Sequence, residues 1–292
     1  MTTFLQLVVN GLGKGAVYAL LALGFVVIFK ATEVVNFAHG SIVLLGGYFV
    51  VVTRDTLGWA GAAAAGIVGA ALAALAVERL LLARAKLAHP DSLALLTIGV
   101  DVVVTEEIVR RLGTDVPFLG DPYDAKALHI GGITIFRTLL VALVVGAVLL
   151  TAFFVAFRYS AWGLAMRAQA ENREAAALMG VRSWRVTSSA WLVAGALAGV
   201  AVLFIATQDF SGSGLGRGTH SIALAAFPAA ILGGLDSTAG AVVGGLVVGL
   251  SEALAAQYIS FDFAKSAVFI VMLVVLVVRP SGLFGTQERQ RV

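Results

Sequence analysis

Six ionisable side chains in this sequence sit where ionisable groups are expensive. Lys14, Asp101, Glu106, Glu107 and Glu252 interrupt long apolar runs, and Asp236 lies in a polar break between two others. Charges placed inside apolar segments mark ion or substrate routes. Asp101 or Glu252 could relay protons in a stand-alone proton-coupled transporter. Glu106 and Glu107 each precede an arginine by four residues, so Glu106–Arg110 and Glu107–Arg111 are expected as surface helix pairs near an interface. Lys14 has a stem long enough to snorkel. Asp101 has no local partner of this kind.

Two polar breaks could line a path. The first is Asn36-Phe37-Ala38-His39-Gly40, between two apolar runs. Interrupted helices expose backbone groups that are tolerated at membrane depth only where protein or a cavity surrounds them. An ordinary turn with Asn36 capping the next helix explains the same residues equally well. The second break, Gly233-Gly234-Leu235-Asp236-Ser237-Thr238-Ala239-Gly240, has a similar design and hints at an internal repeat. Gly240, Gly244, Gly245 and Gly249 follow with small-xxx-small spacing, which suits close helix packing. Candidate path residues are therefore Asn36, His39, Gly40, Asp101, Asp236 and Glu252. No metal site is expected, since His89, His129 and His220 show no ligand spacing with His39. There is no HExxH, GxSxG or GxxxxGK[ST], so no catalytic residues are assigned and no P-loop ATPase is expected.

The elements that must carry these residues follow from composition. The chain is 60% hydrophobic and 13% charged, whereas a soluble domain has about a quarter of its residues charged. The runs are long and continuous, which points to an all-α, polytopic bundle rather than a barrel. One domain is expected over residues 1–292. A span needs about 20 apolar residues. Candidates are Leu5–Phe29, Ala60–Leu82, Ser92–Val109, Ile133–Phe157, Arg185–Thr207 and Phe263–Val278, with shorter or broken segments at Ser41–Thr53, Ser221–Gly234 and Ala239–Gln257. That gives eight or nine crossings, some broken or re-entrant. With no cysteine, disulfides and thiolate metal sites are excluded. A net charge of +3 is too small to suggest nucleic acid. The N-terminal MTTFLQLVVN lacks a basic leader region and is treated as mature sequence.

Charge sets the orientation. Arg79, Arg84 and Lys86, then Arg158, Arg167, Arg173, Arg182 and Arg185, and finally Arg279, Arg289 and Arg291 form three basic clusters. The positive-inside rule places all three in the cytoplasm. The 113–132 loop, with Asp115, Asp121 and Asp124, and the 208–220 loop fall outside. Nine crossings put the N-terminus outside; a re-entrant 36–53 segment would give eight and put it inside.

Between two spans lies a polar island, RYSAWGLAMRAQAENREAAALMGV, from Arg158 to Val181. Asn172 can cap a short helix over Arg173–Met179, and Gly180 can take the left-handed conformation that ends one. A short stiff helix between two spans transmits displacement, and small alanines permit close docking.

These motifs carry a resemblance. Glu174-Ala175-Ala176-Ala177-Leu178-Met179-Gly180 fits the EAAxxxG loop of ABC-importer permeases. Asn36-Phe37-Ala38-His39-Gly40 and Arg279-Pro280-Ser281-Gly282-Leu283-Phe284-Gly285 resemble hallmarks of the branched-chain amino acid permease family and its urea and amide relatives. Gly15-Ala16-Val17-Tyr18-Ala19-Leu20 with Leu23-Gly24, and the Leu232–Ala253 segment, also fit, so the likeness runs in order along essentially the whole chain.

The resemblance implies a permease subunit without catalytic activity in a bacterial cytoplasmic (inner) membrane, its coupling loop (158–184) and C-terminus cytoplasmic. It implies a second, usually non-identical permease, two ATPase subunits that bind the ATP, surrounding lipid, and a soluble protein delivering branched-chain or other neutral amino acids. Urea or a short amide is the alternative cargo. Glu171, Arg173, Glu174, Ala175, Ala176 and Gly180 would form the coupling surface. Two departures stand out: the loop runs into Val181-Arg182-Ser183-Trp184-Arg185 rather than towards a Leu-Pro, and Asp101 replaces an expected small polar residue. If Asp101 lines the path, it favours a ligand with an amino group, and Asp101→Ser should change selectivity.

Overall fold

The computed structural model describes residues 2–85, 89–114, 116–120, 127–130, 133–212 and 214–286. Lys86, Asp115, Asp121, Asp124, Arg289 and Arg291 lie outside them. Helix α1 (Thr2–Thr32) is the axis of the bundle: every residue from 15 to 28 is buried. A helix apolar all round has no solvent face to present, so neighbours surround it.

Helix α2 (His39–Ala76) continues through a π-helical turn (Val77–Leu82), and its continuity is deceptive. Gly58 has φ 66° and ψ 177°, outside helical space, and breaks α2 into two arms. The arms run back along each other. A Cβ on Gly66 would lie 2.5 Å from Val50, and one on Gly69 would lie 2.3 Å from Phe49. The 41–53 and 60–82 segments are therefore two passes joined at a glycine, and the first arm reaches a bend rather than turning back midway.

Helices α3 (Pro90–Leu112) and α4 (Arg137–Tyr159) follow, with a two-stranded antiparallel hairpin between them, β1 (Leu128–Ile130) and β2 (Ile133–Ile135). The hairpin takes up the first residues of the expected 133–157 span. Next come α5 (Ala161–Glu171), α6 (Arg173–Leu178), α7 (Ser183–Ile205) and a short α8 (Gln208–Ser211). The expected 208–220 loop ends early, because α9 begins at Arg217. Helices α9 (Arg217–Leu224) and α10 (Ala226–Gly233) form one broken pass, followed by α11 (Thr238–Tyr258) and α12 (Phe261–Val278).

Glycine decides the central packing. Cβ atoms on Gly245 and Gly249 would each fall 2.3 Å from the backbone nitrogens of Ala19 and Gly15, so α11 lies antiparallel against α1 with almost no gap. Gly195 and Gly199 play the same part where α7 meets the second arm of α2. Among the described residues nine segments pass through the bundle: α1, the two arms of α2, α3, α4, α7, α9 with α10, α11 and α12. Their alternation places α5, α6 and residues 279–286 at one end, with the start of α1, the Gly58 bend and the hairpin at the other.

Candidate functional site

At the α6 end, local capping builds a rigid projection. Ser160 Oγ accepts from Gly163 N at 3.1 Å and starts α5. Asn172 ends α5 and starts α6, its Oδ1 accepting from Ala175 N at 2.9 Å. Gly180, at φ 88°, closes α6 in a Schellman arrangement: its N–H bonds Ala177 O, and Val181 N–H bonds Ala176 O, both at 3.0 Å. Glu171, Arg173, Glu174, Ala175 and Gly180 are exposed, while Ala176 is buried against the protein.

Leu178 and Met179, 89% and 86% exposed, complete the outer face, and the sequence reading had not singled them out. Two apolar side chains at the end of a polar helix were the available signal. Behind this face α5 is fastened to the bundle. Gln169, buried, donates to Ala31 O at 2.8 Å, and Trp162 Nε1 donates to Ser189 Oγ at 2.7 Å. Arg167 donates to Phe157 O. The projection is thus tied to α1, α7 and α4.

Inside the bundle, four expected path residues come together and two do not. The chain leaves α1 and runs inward, so that α2 starts beside Gly24 and Phe25, roughly 12 Å back along α1 from Thr32. Asn36 Oδ1 accepts from Ala38 N at 3.1 Å, an Asx turn that sets up the helix start. Asp101 on α3 accepts from Ser41 N, in the first turn of α2, at 3.0 Å. Its other oxygen meets His220 Nε2 of α9 at 2.8 Å. His220 therefore belongs to a helix rather than a loop, and it supplies the partner Asp101 lacked locally. Gly40 leaves room for it: a Cβ there would lie 2.9 Å from the imidazole. His39 is fully buried with its ring 4.6 Å from that of Phe25. Neither of its nitrogens, nor Asn36 Nδ2, has a hydrogen-bond partner.

Asp236 and Glu252 lie elsewhere. The Asp236 carbonyl accepts from Lys30 Nζ at 2.6 Å, and its carboxylate accepts from Thr286 N at 2.8 Å. Around it the C-terminal segment is stitched to the end of α10, with Leu283 N on Leu232 O at 2.8 Å and Phe284 N on Gly233 O at 3.0 Å. This break sits at the end of the bundle, unlike the largely buried break at 34–38. Glu252 pairs with Lys14 at 3.0 Å and accepts from Tyr18 OH at 2.5 Å. Lys14 thus ends in an ion pair rather than snorkelling, because α11 brings an anion within reach.

The expected Glu106–Arg110 pair also fails to form. Glu107 takes both Arg110 and Arg111, at 2.8 and 2.6 Å, while Glu106 turns to Arg217. The i+3 and i+4 positions both fall beside Glu107, which leaves Glu106 free to face α9.

Long apolar helices, a glycine-packed axis and interior helix breaks define a multi-pass helical membrane protein. Residues 7–278 match the family described as branched-chain amino acid transport system, permease component, and the chain belongs to that family. The high-affinity branched-chain amino acid transport system permease protein LivH of Escherichia coli (strain K12) is 30% identical, over 99% of this chain and 98% of its own. BraD of Pseudomonas aeruginosa, a protein of the same description, is 26% identical over the same shares. The probable branched-chain amino acid transport permease LivH of Methanocaldococcus jannaschii is 27% identical, over 93% of this chain and 89% of its own. Among solved structures, PsaBC from Streptococcus pneumoniae in complex with Fab has a similar fold, with a TM-score of 0.50 at 15% identity over 95% of this chain and 89% of that one. These relatives favour the branched-chain amino acid reading over the urea, short-amide and proton-coupled alternatives.

Proposed function

We propose that this chain is the non-catalytic membrane subunit of an ATP-binding-cassette importer for branched-chain or other neutral amino acids. The carrying observation is α6: a helix of six residues, capped at both ends and seated on the protein through Ala176, with its outer face and Leu178 and Met179 uncovered. Such a projection fits a groove on a partner, with Glu171, Arg173 and Glu174 available for charge-assisted contacts at its rim. The partner would be one of two ATPase subunits, which bind the ATP. A second permease, usually non-identical, would complete the path, and a soluble protein would deliver the amino acid. On this reading the α6 end and the C-terminus face the cytoplasm of a bacterial cell, and the start of α1 faces outward.

Because α5 is bonded to α1, α4 and α7, a push on α6 moves three passes at once. Closure of the ATPases would rock the bundle between outward- and inward-facing states. Gly180 is the point of test. It has open space around it, so a side chain there costs conformation rather than contact. In the reconstituted importer, Gly180→Val should lower amino-acid uptake at least tenfold, with ATP hydrolysis and membrane abundance held within about twofold. Loss of abundance instead would make the loop a folding element. ATP hydrolysis indifferent to this subunit and to loaded delivery protein would reject the importer reading.

A further inference from the structure

Helices α3 and α9 are joined by two ionic rungs. Arg217 grips Glu106 with two hydrogen bonds of 2.6 Å, and His220, one turn further along α9, meets Asp101 at 2.8 Å. The rungs differ in exposure. Arg217 and Glu106 side chains are 63% and 52% exposed, whereas His220 and Asp101 are 15% and 12% exposed. The Asp101 rung lies within the bundle, and the Glu106 rung lies toward its Leu112 end. Asp101 is roughly 16 Å, and Glu106 roughly 9 Å, inside the Leu112 end of α3.

The chain just before α9 is also irregular, and Leu215 N bonds Pro117 O of the connection after α3 at 2.8 Å. Leu215 rests on Gly47 in the first arm of α2, roughly 16 Å inside the Gly58 bend. A nearly buried ion pair leading to an open one, beside irregular backbone, belongs against protein or water rather than hydrocarbon.

We propose that this face lines a water-filled route completed by the second permease. There the Glu106–Arg217 rung would exchange its own ions for the ammonium and carboxylate of a free amino acid, and Asp101–His220 would form the deeper rung. The proposal rests on the amino-acid permease reading. A guanidinium holding a carboxylate in two parallel bonds can exchange it for another carboxylate without losing geometry. Glu106, released, then faces the ammonium. The Ser41 N–H bond keeps Asp101 fixed to the start of α2 while His220 is free to let go.

The chain has no cysteine, so a single introduced thiol reports its own surroundings. Ser221, exposed and next to His220, is compared with Leu273, 56% exposed on α12 and at a matched depth of roughly 18 Å from Phe261. In proteoliposomes holding the complete importer with cysteine-free partners, a membrane-impermeant cationic thiol reagent should modify S221C at least tenfold faster than L273C. Equal rates would overturn the proposal, placing both faces in lipid.

The substrate role is read from leucine uptake. R217Q should reduce it at least tenfold, and the charge-exchanged E106R/R217E variant should stay equally impaired although its ion pair can re-form. Recovery in the exchanged variant would make the rung a structural tie and overturn its part in binding. Failure of the unsubstituted importer to move leucine would count against the amino-acid reading, while the labelling comparison would still decide which face is wet.

Discussion

Two ionic junctions inside this bundle use the same kinds of side chain to opposite ends. Lys14, Tyr18 and Glu252 join α1 to α11, where glycines bring the backbones nearly into contact. Each charge there finds its opposite on a helix that has no room to shift. Asp101, Ser41 and His220 join the middle of α3 to two elements that are interrupted or short: the start of the broken α2 and the first half of a broken pass. Beside them, His39 and Asn36 Nδ2 are buried without partners. Leaving a buried polar group unsatisfied costs about 1–3 kcal/mol. The first junction is therefore a weld, and the second is a place where the structure tolerates unmade bonds. Ionic groups within a membrane bundle cannot be assigned to transport by chemistry alone; the packing around them decides.

The contrast can be broken from the welded side first. Gly249→Val drives a branched side chain into the backbone of Gly15, and no folded protein should be recovered from membranes by size-exclusion chromatography in detergent. Next in size, Lys14→Met leaves the part-buried Glu252 with Tyr18 OH alone, and the loss of about 3–5 kcal/mol when a fully buried pair is broken is the upper bound of the effect. The melting temperature should fall, and adding Glu252→Gln should recover more than half of the loss, since the neutral amide oxygen can still accept from the buried Tyr18 OH.

Asp101→Asn gives the smallest structural effect and sharpens the comparison most. The amide oxygen can still accept from Ser41 N–H, so the melting temperature should move by no more than a few degrees while uptake drops at least tenfold. A large drop in melting temperature with normal uptake would make the second junction another weld.

Much of the fold was legible because its causes are local. The caps of α6 at Asn172 and Gly180 can be read within nine residues, and the nine apolar runs each contain their own evidence. The nonhelical link at Gly58 was visible as the gap between two runs. Pairings across the bundle were not legible. Asp101 and His220 are 119 residues apart, Glu106 and Arg217 are 111 apart, and nothing in the residues near Glu106 distinguishes Arg110 from Arg217 as its partner. The two polar breaks looked alike in sequence for a similar reason. Whether a break is largely buried, like 34–38, or pinned to the C-terminal segment at the bundle end, like 234–237, depends on neighbours that arrive from elsewhere in the chain.

The Lys14–Glu252 pair also sets a clock. Its partners are separated by 238 residues, and at about 5–20 residues per second the ribosome needs on the order of ten to fifty seconds to travel between them. For that interval α1 has been made and the carboxylate that neutralises it has not. A lone lysine in a membrane helix must reach for the interface. Lys14 would snorkel only during synthesis, and the arrival of α11 would draw it inward.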